Sequence, residues 1–108
     1  MSATFAQQLR VQGDPLQLAK PGDDVVHLRV EVPEVWDTVG VEASPDEAVR
    51  VVKIHALERL QGGVRSHESY VVKLRGMEVL DESASLRDLD VRDGSTLLIT
   101  SRRRRPVR

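Results

Sequence analysis

The chain has 108 residues, of which 40% are hydrophobic and 31% charged, and it contains no cysteine. This size and composition suit one globular domain, and the lack of cysteine excludes disulfides, thiolate metal sites and thiol catalysis. No apolar stretch approaches the roughly 20 residues that a membrane-spanning helix needs. We therefore expect a cytoplasmic protein without a membrane span that is a monomer in isolation.

The charges are unevenly distributed along the chain. The formal net charge is −1, from 16 basic and 17 acidic residues. Residues 1–101 hold 11 of the basic residues and all 17 acidic ones, which gives them a net charge of −6. Such an acidic body is a poor surface for phosphate groups, so nucleic-acid binding is not expected. The remaining five basic residues form a basic tail: Arg102, Arg103, Arg104, Arg105 and Arg108.

The first half of the chain predicts a leader followed by a hairpin. Residues 1–24 lack a sustained hydrophobic period and include the turn-forming stretch QGDPLQLAKPGDD, so we predict a flexible leader. The next run, VVHLRVEV (25–32), alternates apolar and polar residues and predicts a strand with one buried face. A second such run, TVGVEA (38–43), follows the segment PEVWD. Together they predict an antiparallel hairpin with a five-residue loop that contains Trp36.

The segment SPDE (44–47) predicts the start of a helix. Ser44 would cap the helix, Pro45 would occupy its first position, and Glu47 would complete a capping box. The pair of glycines in QGG would end the helix near residue 61. Lys53 is predicted on the solvated edge of this helix. The apolar positions with helical spacing are Val49, Val52, Ala56, Leu57 and Leu60.

The second half of the chain predicts further strands. YVVKLRG (70–76) predicts a third strand in which Lys73 and Arg75 share one face, and its glycine marks a tight turn into the short run MEVL. SASLRDLDV predicts a short helical turn. STLLITS predicts a last strand whose inward residues are Leu97 and Ile99. The predicted order is therefore strand, strand, helix, strand, short strand, helical turn and strand.

From Val26 to Thr100 this order resembles ubiquitin. TVGVEASPDEAVRVVKIHAL is similar to the family's second strand, turn and central helix, and VKLRGMEVLDESASLRDLDVRDGSTLLI is similar to the remainder. The resemblance implies an α+β fold of the ubiquitin-like β-grasp type, in which a mixed β-sheet packs on one central α-helix. LRDLDVRDGSTLLI also resembles the ubiquitin-like proteins and domains of bacterial type VII secretion systems. We predict three parts: a flexible leader (1–24), a β-grasp domain (25–101) and a basic tail (102–108).

The resemblance also bears on conjugation. In conjugating ubiquitin-like proteins a slender tail with a terminal diglycine follows the last strand, whereas the matching stretch here is SRRRRPVR, without a glycine after Gly94. The resemblance therefore implies a non-conjugating interaction module or adaptor, within a bacterial secretion or other multiprotein assembly. The alternative is a covalently attached modifier or sulfur carrier with an atypical or processed C-terminus.

The resemblance places a candidate protein-binding surface on the sheet face and hairpin loop. Ubiquitin's usual docking surface corresponds here to positions near Trp36, Lys73, Leu98 and Thr100, only part of which are apolar. Ordinary ubiquitin receptors are therefore not expected to bind, and a different protein partner would use Trp36, Lys73, Arg75 and Leu98. Tryptophan is enriched among interface anchors. The alternative for Trp36 is a ring folded back over the edge of the core.

The sequence carries no recognisable catalytic, cofactor-binding or metal-binding motif. His27, His55 and His67 lack metal-ligand spacing. QGGV lacks the preceding strand and the lysine that a phosphate loop requires. We therefore expect neither enzymatic activity nor a cofactor. For the arginine tail three interpretations stay open: a solvated or weakly self-interacting segment, a protein docking segment, or a contact with anionic polymers or lipids.

Overall fold

The computed structural model describes residues 14–61 and 67–101. Within these ranges a single helix, α1 (Val49–Gln61), packs against one six-stranded sheet. The arrangement is the predicted α+β, ubiquitin-like β-grasp. The strands in chain order are β1 (Leu16–Gln17), β2 (Val26–Val32), β3 (Asp37–Ala43), β4 (Tyr70–Leu74), β5 (Met77–Glu78) and β6 (Thr96–Ser101).

The last strand, β6, joins the two halves of the sheet. The spatial order is β1-β3-β2-β6-β4-β5, so β6 pairs parallel with β2 on one side and antiparallel with β4 on the other. The β2–β3 hairpin is antiparallel from Val26 opposite Ala43 to Val32 opposite Asp37. Because β6 links this hairpin to the β4–β5 hairpin, the sheet is complete only when the end of the domain is in place.

The core is aliphatic, as the shortage of aromatic residues implies. The apolar positions of β2 are buried as the alternation predicted, and Val30 and Val32 are completely inaccessible. The predicted inward residues of β6, Leu97 and Ile99, are also completely buried. Each such aliphatic side chain contributes about 1.5–3 kcal/mol when it is fully buried. The period-2 patterns of these two strands were therefore sufficient to identify their core faces.

Strand β1 lies within the predicted leader. Leu16 is opposite Val41 in a parallel pairing, and the amide of Leu18 donates to the carbonyl of Glu42 at 2.8 Å. Leu16 and Leu18 pack against the core. A two-residue strand has no period for a sequence pattern to reveal, and for this reason it was not predicted. Residues 1–13 of the predicted leader lie outside the described residues.

The predicted helix start is wrong, because α1 begins at Val49 rather than at Pro45. Ser44 Oγ accepts the amide of Asp46 at 3.1 Å and so stabilises a turn before the helix. The first amides of α1 donate to carbonyls from a distant segment: Val49 to Ala84 at 3.0 Å and Arg50 to Glu82 at 2.8 Å. These tertiary bonds satisfy donors that a side-chain cap would otherwise satisfy.

In the described ranges no helix is long and apolar enough to cross a membrane.

The prediction of a solvated Lys53 is also wrong. Its side chain is 1% exposed, and Nζ donates to both carboxylate oxygens of Glu82, at 2.8 and 3.0 Å. Burying an ammonium group costs several kcal/mol unless a charged, hydrogen-bonded partner offsets the loss of water. Glu82 lies 29 residues further along the chain, so a helical wheel cannot reveal the partner. The pair fixes the middle of α1 to the segment that also binds its first amides.

Replacement of Lys53 tests the role of this pair. We expect Lys53→Ala to lower the free energy of unfolding by about 3–5 kcal/mol, because the carboxylate of Glu82 would stay largely buried without its partner. Urea denaturation followed by circular dichroism measures this loss. Arg50→Ala, an exposed position on the same helix, is the control and should change stability by less than about 0.5 kcal/mol. Equal effects of the two substitutions would contradict the assignment.

The turn before β6 is attached to β2 by Asp93. Its Oδ1 accepts the backbone amide of His27 at 2.8 Å, and His27 Nδ1 lies 3.4 Å from the same oxygen. The amide of Gly94 in turn donates to the carbonyl of His27 at 2.8 Å. The backbone hydrogen bond from His27, followed by the one from its ring, holds the pKa of Asp93 below its ordinary value of 3.8. Ionised Asp93 therefore stabilises the folded state.

The stability of the fold should consequently depend on the ionisation of Asp93. Because folding lowers its pKa, the stabilisation is fully present above 3.8 and is lost as the pH falls through the lower, folded-state value. We expect Asp93→Asn to be less stable at neutral pH and to lose less stability than the unsubstituted protein on acidification. Urea midpoints measured from about pH 6 to about pH 2 cover this range. The exposed Asp24 provides the control, Asp24→Asn, and an unchanged acid profile for Asp93→Asn would refute the attachment.

Candidate functional site

The hairpin loop between β2 and β3 holds Trp36 away from the core. Pro33–Val35 form a 3₁₀ turn, and the amide of Trp36 donates to the carbonyl of Pro33 at 3.0 Å. Trp36 itself has a φ of 56°, in the left-handed region that costs an L-residue about 1–2 kcal/mol. It is 91% exposed, so the interpretation in which its ring covers the core is wrong. The loop is one residue shorter than predicted because Asp37 already pairs with Val32.

Two of the predicted site residues are neighbours on the outer face of the sheet, which points away from α1. Lys73 on β4 lies opposite Leu98 on β6, and Glu31 on β2 flanks Leu98 on its other side. In the adjacent row Val71 lies opposite Thr100. Four of these side chains are half-buried. The fifth, Val71, is buried with an exposure of 7%, but it lies outside the main core cluster. We call these five residues the outer-face surface.

Val71 is a member of this surface that the sequence analysis did not select. The strand alternation already placed it on the same face as Lys73, so the signal was present in the sequence. An apolar residue at such a position is easily taken for a second core residue beside Val72. The structure separates the two, because Val72 lies in the core cluster and Val71 does not.

Arg75 does not join Lys73 and Leu98. It occupies the β4–β5 turn with a φ of 52°, followed by Gly76 at 83°, and two consecutive left-handed residues are what a tight type I′ hairpin requires. One guanidinium nitrogen of Arg75 donates to the carbonyl of Leu89 at 3.1 Å. The turn extends from the end of β4 where Leu74 faces Leu97. Trp36 lies towards the opposite end of the sheet.

The end of β6 is attached to the hairpin loop. The amide of Ser101 donates to the Glu34 carboxylate, Oε2, at 2.7 Å, and Ser101 lies opposite Tyr70 in the sheet. Glu34 is two residues from Trp36 in the sequence. The structure therefore places Trp36 beside one end of the outer-face surface and Arg75 beyond the other.

An apolar groove of about 340 Å³ adjoins Arg75 and was not predicted as a site. Leu74 and Val79 contribute to its lining, and Met77 and Leu80 stand at its edge with exposures of 73% and 85%. The run MEVL contains these apolar residues, but its sequence does not distinguish the buried Val79 from the exposed ones. The groove lies next to β5, which is the edge strand of the sheet.

A polar cleft of about 520 Å³ lies on the α1 side and includes Arg50, His67 and Asp81 together with the Lys53–Glu82 pair. His67 Nδ1 is buried there without a hydrogen-bond partner among the residues that the structure describes. Hydrogen bonds from the hydroxyl and the amide of Ser83 lower the pKa of Asp81 from 3.8. Within the cleft, the charges of Lys53 and Glu82 compensate each other.

The three histidines lie apart. His27 Nε2 is 3.8 Å from a carboxylate oxygen of Glu42, whereas His55 Nδ1 is 2.9 Å from the carbonyl of Val51 on its own helix. His67 is near Glu68. Across residues 14–61 and 67–101 no three histidine or acidic side chains converge as ligands for a metal ion.

The hairpin loop lies within an acidic stretch of the sequence. Between Arg29 and Arg50 the sequence has no basic residue and six acidic ones: Glu31, Glu34, Asp37, Glu42, Asp46 and Glu47. Asp46 is bonded to Arg87 Nε at 3.0 Å. In contrast, Glu31, Glu34 and Asp37 form no ion pair with a basic side chain of the described ranges. The three carboxylates on and beside the loop thus remain uncompensated by lysine or arginine there.

Solved structures of ubiquitin-like proteins have the same fold. A ubiquitin-like domain of an Arabidopsis thaliana protein is 17% identical, with a TM-score of 0.62 over 83% of this chain and 90% of that one. The ubiquitin of Caldiarchaeum subterraneum is 14% identical, with a TM-score of 0.63 over 78% and 98%. A designed protein based on ubiquitin is 19% identical, with a TM-score of 0.62 over 82% and 100%. At these identities the likeness shows the fold alone.

The comparisons by sequence give a family but no function. Among curated proteins none matches this chain. A family model described as a protein of unknown function, DUF2604, matches residues 20–102, which is more than half of the chain. The matched residues extend from just before β2 to just after β6 and so include α1 and most of the sheet. The chain therefore belongs to the DUF2604 family, and its fold is ubiquitin-like.

Proposed function

We propose that this ubiquitin-like chain is a noncovalent protein–protein interaction module that binds its partner through the hairpin loop and the outer-face surface. The observation that carries the proposal is the 91% exposure of Trp36. Large aromatic side chains supply most of the binding energy at many interfaces, and tryptophan is among the most enriched of them. A tryptophan that is 91% exposed contributes little to folding, and this supports a role in binding.

The backbone at Trp36 supports the same proposal. The left-handed conformation at φ 56° favours glycine or asparagine, and a tryptophan there lowers stability without a compensating core contact. Beside the loop, the half-buried Leu98 supplies apolar area, while Lys73 and Glu31 supply charges around it. An apolar centre with a charged rim is the usual composition of a protein interface. Arg75, at the far end of β4, would contact only a partner that extends along the whole strand.

The mode of action that we propose is noncovalent and requires neither catalysis nor a cofactor. The stretch SRRRRPVR, which begins at the last residue of β6, contains none of the glycines that adenylation and conjugation of a ubiquitin-like tail require. An adaptor in a bacterial secretion or other multiprotein assembly is the setting that we propose. It is supported by the resemblance of LRDLDVRDGSTLLI to the ubiquitin-like domains of type VII systems.

A substitution at Trp36 should separate stability from binding. We expect Trp36→Asn to raise the free energy of unfolding by up to about 1 kcal/mol, because asparagine tolerates the left-handed region better. Urea denaturation followed by circular dichroism measures the change. Trp36→Ala removes the ring without favouring this backbone conformation, and it should stay within about 0.5 kcal/mol of the unsubstituted protein. A marked loss of stability in both variants would instead show that the ring supports the fold.

Affinity capture tests the proposed surface directly. The full chain, tagged at its N-terminus, serves as bait in extracts of its native host, and captured proteins are quantified by mass spectrometry. We expect a partner that the unsubstituted bait retains to be lost with Trp36→Ala, and to be reduced with Leu98→Glu. For the purified partner, the loss of an interface anchor should weaken the Kd about thirty-fold, which corresponds to about 2 kcal/mol.

The matched control is Met77→Ala, which removes another exposed apolar side chain near the other end of the sheet. The Met77→Ala bait should retain the partner with an unchanged Kd. If Trp36→Ala binds as tightly as Met77→Ala, the hairpin loop is not the binding surface. If only Met77→Ala loses the partner, the interface lies at the groove beside β5 instead.

A further inference from the structure

The hairpin loop lies beside Ser101, the residue that precedes the arginine tail in the sequence. The amide of Ser101, the last residue of β6, donates to Glu34 Oε2 at 2.7 Å. The next four residues of the sequence are Arg102–Arg105, and residues 102–108 lie outside the described residues. Four extended residues span up to about 14 Å, whereas Trp36 lies two residues from Glu34, at most about 7 Å along the chain. The arginine run can therefore reach the whole loop.

The charges of the two segments are complementary. Glu31, Glu34 and Asp37 have no lysine or arginine partner within the described ranges. The arginine run carries four positive charges that begin one residue after the residue bound to Glu34. Charges separated by less than the Debye length of about 8 Å interact appreciably even at physiological salt. The charges therefore favour contact between the arginine run and the loop.

Trp36 adds a specific contact for arginine to this attraction. A guanidinium group stacks on an indole face through a cation–π interaction, and tryptophan is the best of the aromatic side chains for it. The ring is 91% exposed, so its faces are accessible. The loop thus offers uncompensated carboxylates and an indole face within reach of one short arginine segment.

We propose that the arginine run, Arg102–Arg105, docks on the acidic hairpin loop of its own chain, with one guanidinium stacked on Trp36. The inference rests on the proposed function in one respect, since the docked run covers the same loop that we assign to the partner. A partner must then displace the run, and the run acts as an internal competitor that weakens binding to the loop. In this proposal the basic tail binds the acidic part of its own chain.

The experiment uses Trp36 as the probe, because it is the single tryptophan of the chain. Acrylamide quenching of its fluorescence is compared between the full chain and a variant with Arg102–Arg105 replaced by serine. We expect roughly a two-fold larger quenching constant in the variant, because a docked guanidinium covers one of the two faces of the indole ring. Acrylamide is neutral, so the change in charge does not itself alter the local quencher concentration.

Salt and a charge-conserving variant separate the contributions to docking. At about 1 M salt the Debye length falls to about 3 Å, and the full chain should then quench like the serine variant. Replacing Arg102–Arg105 by lysine keeps the charge and removes the planar stacking group, so its quenching constant should be intermediate. Arg50→Ser, which removes a positive charge from α1, is the matched control and should quench like the full chain.

Two results would overturn the proposal. Equal quenching constants for the full chain and the serine variant at low salt would show that the arginine run does not cover Trp36. A protected Trp36 that becomes exposed on dilution would show that the run docks on a second copy rather than on its own chain. Both measurements are made on the isolated protein without a partner, so these failures are distinguishable from a failure of the proposed function.

Discussion

The buried ion pair between Lys53 and Glu82 is the interaction on which the rest of the structure depends. It joins the middle of α1 to a segment of irregular backbone, and the same segment supplies the carbonyls that bind the first amides of the helix. A lysine that is 1% exposed is tolerated because its ammonium group binds both carboxylate oxygens of Glu82. The helix is therefore positioned by polar contacts at its start and by aliphatic contacts along its buried face.

A second consequence of this arrangement concerns the end of the domain. The segment that binds α1 continues through Leu86, which is completely buried, into the turn held by Asp93 and then into β6. Because β6 pairs with both β2 and β4, the contacts of the helix and the completion of the sheet are parts of one connected arrangement. The hairpin loop and the end of β6 lie together because Glu34 binds Ser101.

The proposed binding surface uses residues that contribute least to this arrangement. Trp36 is almost fully exposed and occupies a left-handed conformation, and the outer-face surface is separate from the main core. A rigid sheet holds these side chains in place, so a partner would meet a preformed surface and lose little entropy in ordering it. The uncompensated carboxylates of the loop would favour a positively charged contact, from the partner or from the chain's own tail.

The sequence by itself determined the elements whose patterns follow directly from burial. The alternation in β2 and β6 predicted which side chains are buried, because a strand with one face on the core places an apolar residue at every second position. The order of the elements carries the resemblance to ubiquitin, and that resemblance predicted the β-grasp fold. In the candidate site, the alternation of β4 predicted that Lys73 lies on the outer face of the sheet. The segment between the two predicted strands of the hairpin placed Trp36 on a loop.

Only the tertiary structure decided the features that depend on a distant partner. The start of α1 differs from the predicted start because carbonyls from residues 82–84 bind its first amides, and Lys53 is buried because Glu82 reaches it. Strand β1 exists because β3 offers it an edge, and the separation of Arg75 from Lys73 follows from a turn with two left-handed residues. The physical reason is common to all of them. A local pattern records which face of an element is apolar, whereas hydrogen bonds and ion pairs between distant segments are made only when the chain is folded.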